Sequence, residues 1–227
     1  MPRTLDPVAH AVRRDAFLDV AQRLIQVKGY EQMSIQDVLD ELDASRGAFY
    51  HYFDSKGALL EGVIGRMVED VTDALGPLVA DPDLAASEKF RRMFANIASW
   101  KSERRELMLE VVRTWASDDN AIVREKYRHR VVATITPIFA AIIRQGVTEG
   151  SFQVTSPDHT ARVLISLLLG AQEHATDLYL ARQAGRAPFE LVEGALLAYP
   201  DAFERILGAP AGSLRWYDRA MLEEWFG

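Results

Sequence analysis

The sequence of 227 residues contains no cysteine, no long apolar run and no excess of positive charge. The absence of cysteine excludes disulfide bonds, thiolate metal sites and a cysteine nucleophile, and it fits a cytoplasmic location. The longest uncharged run of the second half, residues 131–143, is shorter than a bilayer span, so we expect no membrane segment. Charged residues interrupt the first thirty positions, which leaves no apolar region of a signal peptide.

The charge balance bears on nucleic-acid binding. The formal net charge is −7, and residues 1–57 carry 7 basic and 9 acidic side chains, a balance of −2. Attraction to phosphate needs a basic surface, so the overall charge opposes general affinity for nucleic acid. If the N-terminal segment binds DNA, its local geometry must supply the affinity.

The apolar residues follow helical spacing along nearly the whole chain, and no window is typical of a strand. The sequence therefore predicts an all-α fold. We expect a helix-turn-helix domain at residues 1–57, with the turn-flanking helices at about 34–53, and a larger helical domain at 58–227. The predicted helices of the larger domain lie at about 59–78, 86–101, 103–116, 119–148, 158–184, 188–207 and 213–226.

The N-terminal segment has clear helix start and stop signals. Apolar positions from Val12 onward predict a first helix that Gly29 ends. Ser34 and the acid three residues later match a capping box, so a short second helix starts there and breaks near Asp43. Ser45 can cap a brief third helix. Three short helices in this arrangement are the plan of a helix-turn-helix DNA reader, although small helical bundles share it.

Aromatic side chains crowd the stretch SRGAFYHYFDSKGALL, residues 45–60. Consecutive residues of a helix point in all directions around its axis, so they cannot all face one core. We expect Phe49 and Phe53, four positions apart, to be core residues. Tyr50 and His51 then point outward, and for Tyr52 core packing and phosphate contact are equally plausible.

Residues 29–60 have the pattern G-Y-x-x-x-S-I-x-x-V-L-x-x-L-x-A-S-R-G-A-F-Y-H-Y-F-x-S-K-x-x-L-L. This pattern resembles the tetracycline-repressor (TetR) family of bacterial transcriptional regulators. The resemblance implies a DNA-binding domain followed by a variable ligand-binding and dimerisation domain. One departure is Asp43, where the family usually has glycine in the turn; aspartate tolerates the left-handed conformation better than most residues.

The predicted DNA contacts fall into two groups. The start of the third helix should read bases, because arginine to guanine is the commonest specific contact and small residues permit close approach. Hydroxyl, imidazole and ammonium groups, with the free N–H groups at helix starts, should contact phosphates. The predicted DNA-binding residues are Ser34, Gln36, Ser45, Arg46, Gly47, Ala48, Tyr50, His51 and Lys56.

The second domain has aromatic and methionine side chains on several helical faces around Pro137, which predicts a kink. For any single residue, a place in the bundle core is the more common role, but such side chains also suit an adaptable apolar ligand pocket. The candidate ligand-binding residues are Phe94, Trp100, Met108, Val111, Trp115, Tyr127, Phe139 and His174. No third ligand accompanies His174 and Asp177, so we expect no metal site and no cofactor.

Small and aliphatic residues share two later helices. The resemblance implies that two such helices from each subunit form a four-helix bundle in a homodimer; packing inside one subunit is the alternative. The candidate interface residues are Leu164, Leu168, Ala171, Leu191, Gly194, Leu197 and Ala198.

These observations predict a homodimeric, ligand-responsive regulator, most simply a repressor that leaves a pseudo-palindromic operator when a small, largely apolar effector binds. One alternative is a DNA-bound protein that recruits a protein partner without a small effector. Another is an enzyme with a helix-turn-helix appendage, but the sequence shows no paired nucleophile and base and no phosphate loop, so we expect no enzymatic activity.

Overall fold

The computed structural model describes residues 7–115 and 120–227, apart from the side chain of Trp115. These residues form ten α-helices and contain no strand, which confirms the all-α prediction. The helices are α1 (Pro7–Lys28), α2 (Ile35–Leu42), α3 (Arg46–Tyr50), α4 (Lys56–Ala80), α5 (Ala86–Glu103), α6 (Arg105–Trp115), α7 (Ala121–Glu149), α8 (Pro157–Gln183), α9 (Phe189–Leu207) and α10 (Arg219–Phe226).

Helix α4 runs further than predicted. It was predicted at about 59–78, but it begins at Lys56 and continues through Pro77 to Ala80. A proline removes one backbone hydrogen bond and does not by itself end a helix when the last carbonyls find partners. Here the buried Lys89 donates from Nζ to the carbonyl oxygen of Val79 over 2.7 Å.

Helix α10 is shorter than the helix predicted from Ser213. The preceding segment is held in an irregular path by Glu204, whose side chain is 3% exposed and accepts hydrogen bonds from the N–H groups of Gly212 and Leu214, each at 2.7 Å. Asp218 then caps α10 by accepting from the N–H of Met221. Because the Glu204 side chain accepts these backbone N–H groups, they do not require the hydrogen bonds of a helix.

The chain divides into two compact units. The first unit comprises the described residues of Met1–Asp70 and Lys101–Tyr127, and the second those of Val71–Trp100 and Arg128–Gly227. The core of the first unit is formed by buried apolar residues of α1 to α4, with Leu107 of α6 and Val123 of α7. Packing thus extends beyond residue 57, and the functional boundary at residues 57 and 58 stays a prediction.

The second unit is built around aromatic rings. Phe90 of α5, Phe139 of α7 and Phe203 of α9 are at most 2% exposed, and their ring centroids lie 5.1–6.1 Å apart. Trp216 stacks on Phe94 with ring centroids 4.3 Å apart. Such contacts are favourable beyond the area that they bury. Helix α7 runs through Pro137, and whether it is kinked there stays a prediction.

Within residues 7–115 and 120–227, α7 is the one helix whose length and composition would let it cross a membrane. Helices in the core of a folded domain pass the same test. The C-terminal half of α7 packs in this way, because Phe139, Ala140, Ile142 and Ile143 are at most 2% exposed.

Candidate nucleic-acid interface

Helix α2 begins with a complete capping box, as predicted. The Ser34 hydroxyl accepts from the N–H of Asp37 at 3.2 Å, and the Asp37 carboxylate accepts from the N–H and the hydroxyl of Ser34 at 2.7 Å. Lys28 forms an ion pair with the same carboxylate at 2.5 Å. The Lys28 ammonium and Ser34 hold the pKa of Asp37 well below its ordinary value. The start of α2 is therefore fixed by its own side chains.

The turn between α2 and α3 relies on Asp43. This residue is the one non-glycine with positive φ among those that the structure describes, at φ 45° and ψ 50°. Its N–H bonds to the end of α2, which makes it the left-handed C-cap that glycine usually supplies. Ser45 then caps α3 by accepting from the N–H of Ala48 at 3.2 Å. The aspartate preserves the expected turn.

The aromatic residues of α3 and of the segment that follows it divide between core and surface as predicted. Phe49 is fully buried and Phe53 is 4% exposed, and both rings pack on Phe17 of α1. The side chain of Tyr50 is 54% exposed. Tyr52, whose role was left open, is half-buried and packs against the core, with its ring centroid 5.6 Å from that of Phe17.

His51 ends α3 and is exposed. Its ring lies edge-on to Tyr52 at 5.0 Å and to His10 of α1 at 5.5 Å. His10 was not among the predicted site residues. No local pattern could have indicated it, because the contact joins residues far apart in the chain.

One concave surface collects most of the predicted phosphate and base contacts. A groove of about 560 Å³ is bounded by the α1–α2 turn, the start of α2, helix α3 and the start of α4. Five of the nine predicted DNA-binding residues line it. The lining residues are Glu31, Gln32, Met33, Ser34, Ile35, Gln36, Arg46, Tyr50 and Lys56.

Arg46, the predicted base-reading residue, belongs to a chain of side-chain hydrogen bonds. Its guanidinium donates from Nη2 to Oε1 of Gln36 at 3.4 Å, and Gln36 donates from Nε2 to Oδ1 of Asp40 at 2.7 Å. Asp40 therefore faces a neutral amide and not the arginine itself. This arrangement holds Arg46 at the first position of α3 and leaves most guanidinium N–H groups available.

Lys56 begins α4, three residues before the predicted start, and packs on the α1–α2 turn. Its Nζ lies 4.2 Å from the ring centroid of Tyr30 and donates to the carbonyl oxygen of Glu31 at 3.2 Å. Burial lowers the pKa of Lys56, and the charge of Glu31 partly opposes this shift. Burial also disfavours the charged form of Tyr30, which raises the pKa of its hydroxyl. Sequence reasoning missed Tyr30 as a partner of the lysine.

The remaining predicted DNA contacts are small. Gly47 is exposed, and a side chain built there would meet only the Ser45 hydroxyl, at 3.9 Å. Ala48 is half-buried beside it. The first turn of α3 thus has an open surface, which suits close approach to base edges.

The structure divides the candidate ligand-binding residues between the two units. Met108, Val111 and Tyr127 pack against the core of the first unit. Phe94, Trp100, Phe139 and His174 belong to the second unit, where the His174 ring nitrogen Nδ1 lies 3.1 Å from the hydroxyl of Tyr199. The side chain of Trp115 lies outside the described residues. Trp216, which the sequence analysis did not single out as a ligand contact, stacks directly on Phe94.

The candidate dimer residues also differ in exposure. Leu164 and Ala171 are at most 3% exposed within the single chain, so they have little surface left to bury against a partner. Leu191 is 50% exposed, and Gly194 and Ala198 are exposed as well. Leu168 and Leu197 are half-buried. Among these candidates, the exposed residues all lie on α9.

Metal chemistry finds no support in the described part of the chain. No group of three or more histidine, aspartate or glutamate side chains there is placed to hold a metal ion.

The capped α2, the left-handed turn and the exposed face of α3 define a helix-turn-helix DNA-binding protein. Residues 17–63 match the family described as "Bacterial regulatory proteins, tetR family". This segment is therefore a DNA-binding domain of the tetR family, and the chain is a DNA-binding transcriptional regulator.

Three relatives illustrate the extent of the similarity. The transcriptional repressor KstR2 of Rhodococcus jostii (strain RHA1) is 23% identical over 162 residues, 67% of this chain and 74% of that protein. An uncharacterized regulator in the lacX 3′ region of Lactococcus lactis subsp. lactis is 41% identical over 56 residues, 25% of this chain and only 29% of its own length. The crystal structure of RolR with resorcinol has a TM-score of 0.62 at 16% identity and covers 95% of each chain. The last likeness shows the fold alone.

Proposed function

We propose that this protein is a cytoplasmic, homodimeric repressor that binds a pseudo-palindromic operator and leaves it when a small, largely apolar effector binds. The observation that carries the proposal is the groove between α2, α3 and α4. It brings together Ser34, Gln36, Arg46, Tyr50 and Lys56 in a chain whose net charge is −7. Because diffuse attraction to DNA is weak in such a chain, binding depends on this surface.

Within the groove, the residues take different roles. Arg46 reads a base edge from the first turn of α3, with its direction set by Gln36. Tyr50, exposed beside the buried Phe49, donates its hydroxyl to a phosphate, and His51 does the same from the end of α3. Lys56 contributes a cation at the edge of the groove. Ser34 and Ser45 place the free N–H groups of their helices toward the backbone of the duplex.

The second unit supplies the effector response in this proposal. Its aromatic rings, Phe90, Phe94, Phe139, Phe203 and Trp216, are the surfaces that an apolar or aromatic effector would contact after rearrangement. Two related proteins support this assignment by what their names state: KstR2 is a repressor, and RolR was crystallised with resorcinol. Their own ligands are not transferred to this chain.

For the dimer, we propose that α9 forms most of the interface with α8 beside it. Leu191 and Val163 are large apolar side chains that are at least half exposed in the single chain. Gly194 has no atom within 4 Å of where a side chain would begin, which leaves room for a partner helix to approach. A twofold axis through such an interface would relate two recognition helices and explain a palindromic site.

Selection of bound duplexes from a random DNA library tests the proposal. We expect wild-type protein to recover an inverted repeat. Arg46→Ala should lose preference at one base pair of each half-site, by about 1–3 kcal/mol of discrimination, and Tyr50→Ala should weaken binding to all sequences alike. Arg215→Ala, an exposed arginine of the second unit, is the matched control and should leave the motif intact.

Two results would count against the proposal. Recovery of no repeated motif would remove the operator assignment. An effector screen without a hit, together with DNA-dependent capture of a protein partner, would favour the alternative of a DNA-bound recruiting protein.

A further inference from the structure

A carboxylate of α6 reaches the turn that forms one wall of the groove. Glu110 accepts a hydrogen bond from the N–H of Tyr30 through Oε1 at 3.3 Å, although the two residues are 80 positions apart. Its side chain is only 18% exposed, and its second oxygen accepts from Arg113 at 3.4 Å. Residue 29 must be glycine for this approach, since its φ is +81° and a Cβ there would lie 2.8 Å from Oε1 of Glu110.

The same turn also holds Lys56. The ring of Tyr30, which is 7% exposed, lies beneath the ammonium group, and the carbonyl of the next residue, Glu31, accepts its hydrogen bond. Both partners of Lys56 therefore belong to the peptide segment that Glu110 fixes by its backbone. A shift of this turn would move the ring and the carbonyl together, and the ammonium group with them.

We propose that Glu110 is a positioning residue for DNA binding: through the N–H of Tyr30 it fixes the α1–α2 turn, and so holds Lys56 in the orientation that meets a phosphate. The inference rests on the proposed phosphate contact of Lys56. A charged acceptor suits the task, because a hydrogen bond to a carboxylate is stronger than one between neutral groups. Glu110 itself touches no DNA in this proposal.

The position of α6 consequently affects the DNA site. Helix α6 contributes no residue to the groove, yet its Glu110 is bonded to the turn that supplies Glu31, Gln32 and Met33 to the groove lining. Any displacement of α6 that breaks this bond releases the turn and weakens binding.

A double-mutant cycle between Glu110 and Lys56 tests the inference. Binding of full-length variants to the duplex selected by the wild type is measured by fluorescence anisotropy across a series of KCl concentrations. The temperature is one at which circular dichroism shows every variant folded. The variants are Glu110→Ala, Glu110→Gln, Lys56→Ala, the Glu110→Ala and Lys56→Ala double variant, and Glu106→Ala, an exposed carboxylate of the same helix.

We expect Lys56→Ala to weaken binding several-fold and to reduce the slope of log K against log salt by about 0.9 for each bound subunit. Glu110→Ala should reproduce both effects without removing a cation, and it should add little in the Lys56→Ala background. Glu110→Gln keeps an oxygen acceptor and should restore most of the affinity. Glu106→Ala should bind as the wild type does.

The outcomes separate the inference from the proposed function. If Lys56→Ala weakens binding and Glu110→Ala leaves affinity and salt slope unchanged, or if their effects are additive, Glu110 does not position Lys56. If Lys56→Ala has no effect, the phosphate contact fails and the inference fails with it, while the selected motif still tests DNA reading by Arg46. Should Glu110→Ala not fold, Glu110→Asp, whose carboxylate is one methylene shorter, is held to the same expectations.

Discussion

The two units use aromatic side chains in opposite ways. In the first unit, exposed Tyr50 and His51 follow directly on buried Phe49, so one short helix serves both core and surface. In the second unit, Phe139 and Phe203 are buried against other rings. The proposed DNA recognition in the first unit therefore uses aromatic side chains on a small surface, whereas the aromatic rings proposed to meet an effector in the second unit lie in its interior.

Truncating one core phenylalanine in each unit gives the largest expected effects. Phe49→Ala and Phe203→Ala should each lower the free energy of unfolding by roughly 3–5 kcal/mol, because both rings are fully buried among other aromatic rings. DNA binding should distinguish them. Phe49→Ala removes the support of Tyr50 and should weaken binding even when folded, whereas folded Phe203→Ala should bind normally. Thermal unfolding and anisotropy measure the two quantities.

Tyr50→Phe is the matched control for Phe49→Ala. It keeps the ring that packs edge-on to Phe49 and removes only the hydroxyl, so it should lose affinity with little change in stability. If folded Phe203→Ala also lost affinity, the DNA surface would depend on the core of the second unit and the contrast between the units would be wrong.

The difference between the units also explains what the sequence could predict. The first unit is rich in short-range signals, and the structure confirms them: the capping box at Ser34, the left-handed Asp43, the cap at Ser45 and the separation of Phe49 from Tyr50. Each depends on residues within about one helical turn. Such features can be inferred without knowing the tertiary fold.

Contacts between distant residues could not be inferred in the same way. The bond from Tyr30 to Glu110, the support of Val79 by Lys89 and the stacking of Trp216 on Phe94 each join separate elements. One of them accompanies a difference between prediction and structure, since Lys89 satisfies a carbonyl of α4 that lies beyond Pro77. Helical periodicity shows which face is apolar but not which partner covers it.

Gly146 offers the next test, inside the second unit. A Cβ added at this helical position would overlap the buried ring of Phe152. Gly146→Ala should therefore destabilise the protein by about 1–3 kcal/mol, although alanine favours a helix by about 1 kcal/mol in open surroundings. Gly170→Ala is the control, because no atom lies within 4 Å of its Cβ position. If chemical denaturation showed Gly146→Ala to be more stable than the wild type, this packing would be contradicted.

A smaller change in the free energy of unfolding, this time a stabilisation, is expected in the turn between α2 and α3. Asp43 adopts a left-handed conformation that costs a residue with a side chain roughly 1 kcal/mol relative to glycine. Asp43→Gly should raise the free energy of unfolding by about that amount and leave the DNA motif unchanged. Asp43→Ala, which keeps a Cβ without the polar group, should not stabilise. Urea denaturation of both variants distinguishes conformational strain from loss of charge.

The smallest expected effects concern the free energy of unfolding at low pH, through one carboxylate in each unit. The pKa of Asp37 is lowered by Lys28 and Ser34, and the pKa of Glu149 is lowered chiefly by the N–H of Ala86. A carboxyl whose pKa is lower in the folded than in the unfolded state adds stability above its unfolded pKa, about 4, and loses it as the pH falls further. Asp37→Asn and Glu149→Gln should therefore each flatten the decline of unfolding free energy below about pH 4.

Asp37→Asn and Glu149→Gln should differ in their effect on DNA binding. Asp37 belongs to the capping box at the edge of the proposed DNA-binding groove, so Asp37→Asn should also weaken binding slightly near neutral pH, whereas Glu149→Gln should not. Because asparagine still accepts hydrogen bonds, any loss of affinity would report the ion pair with Lys28 more than the cap itself. Equal affinity of both variants would show that the start of α2 is held without this charge, by Ser34 and the packing of α1 on α2 alone.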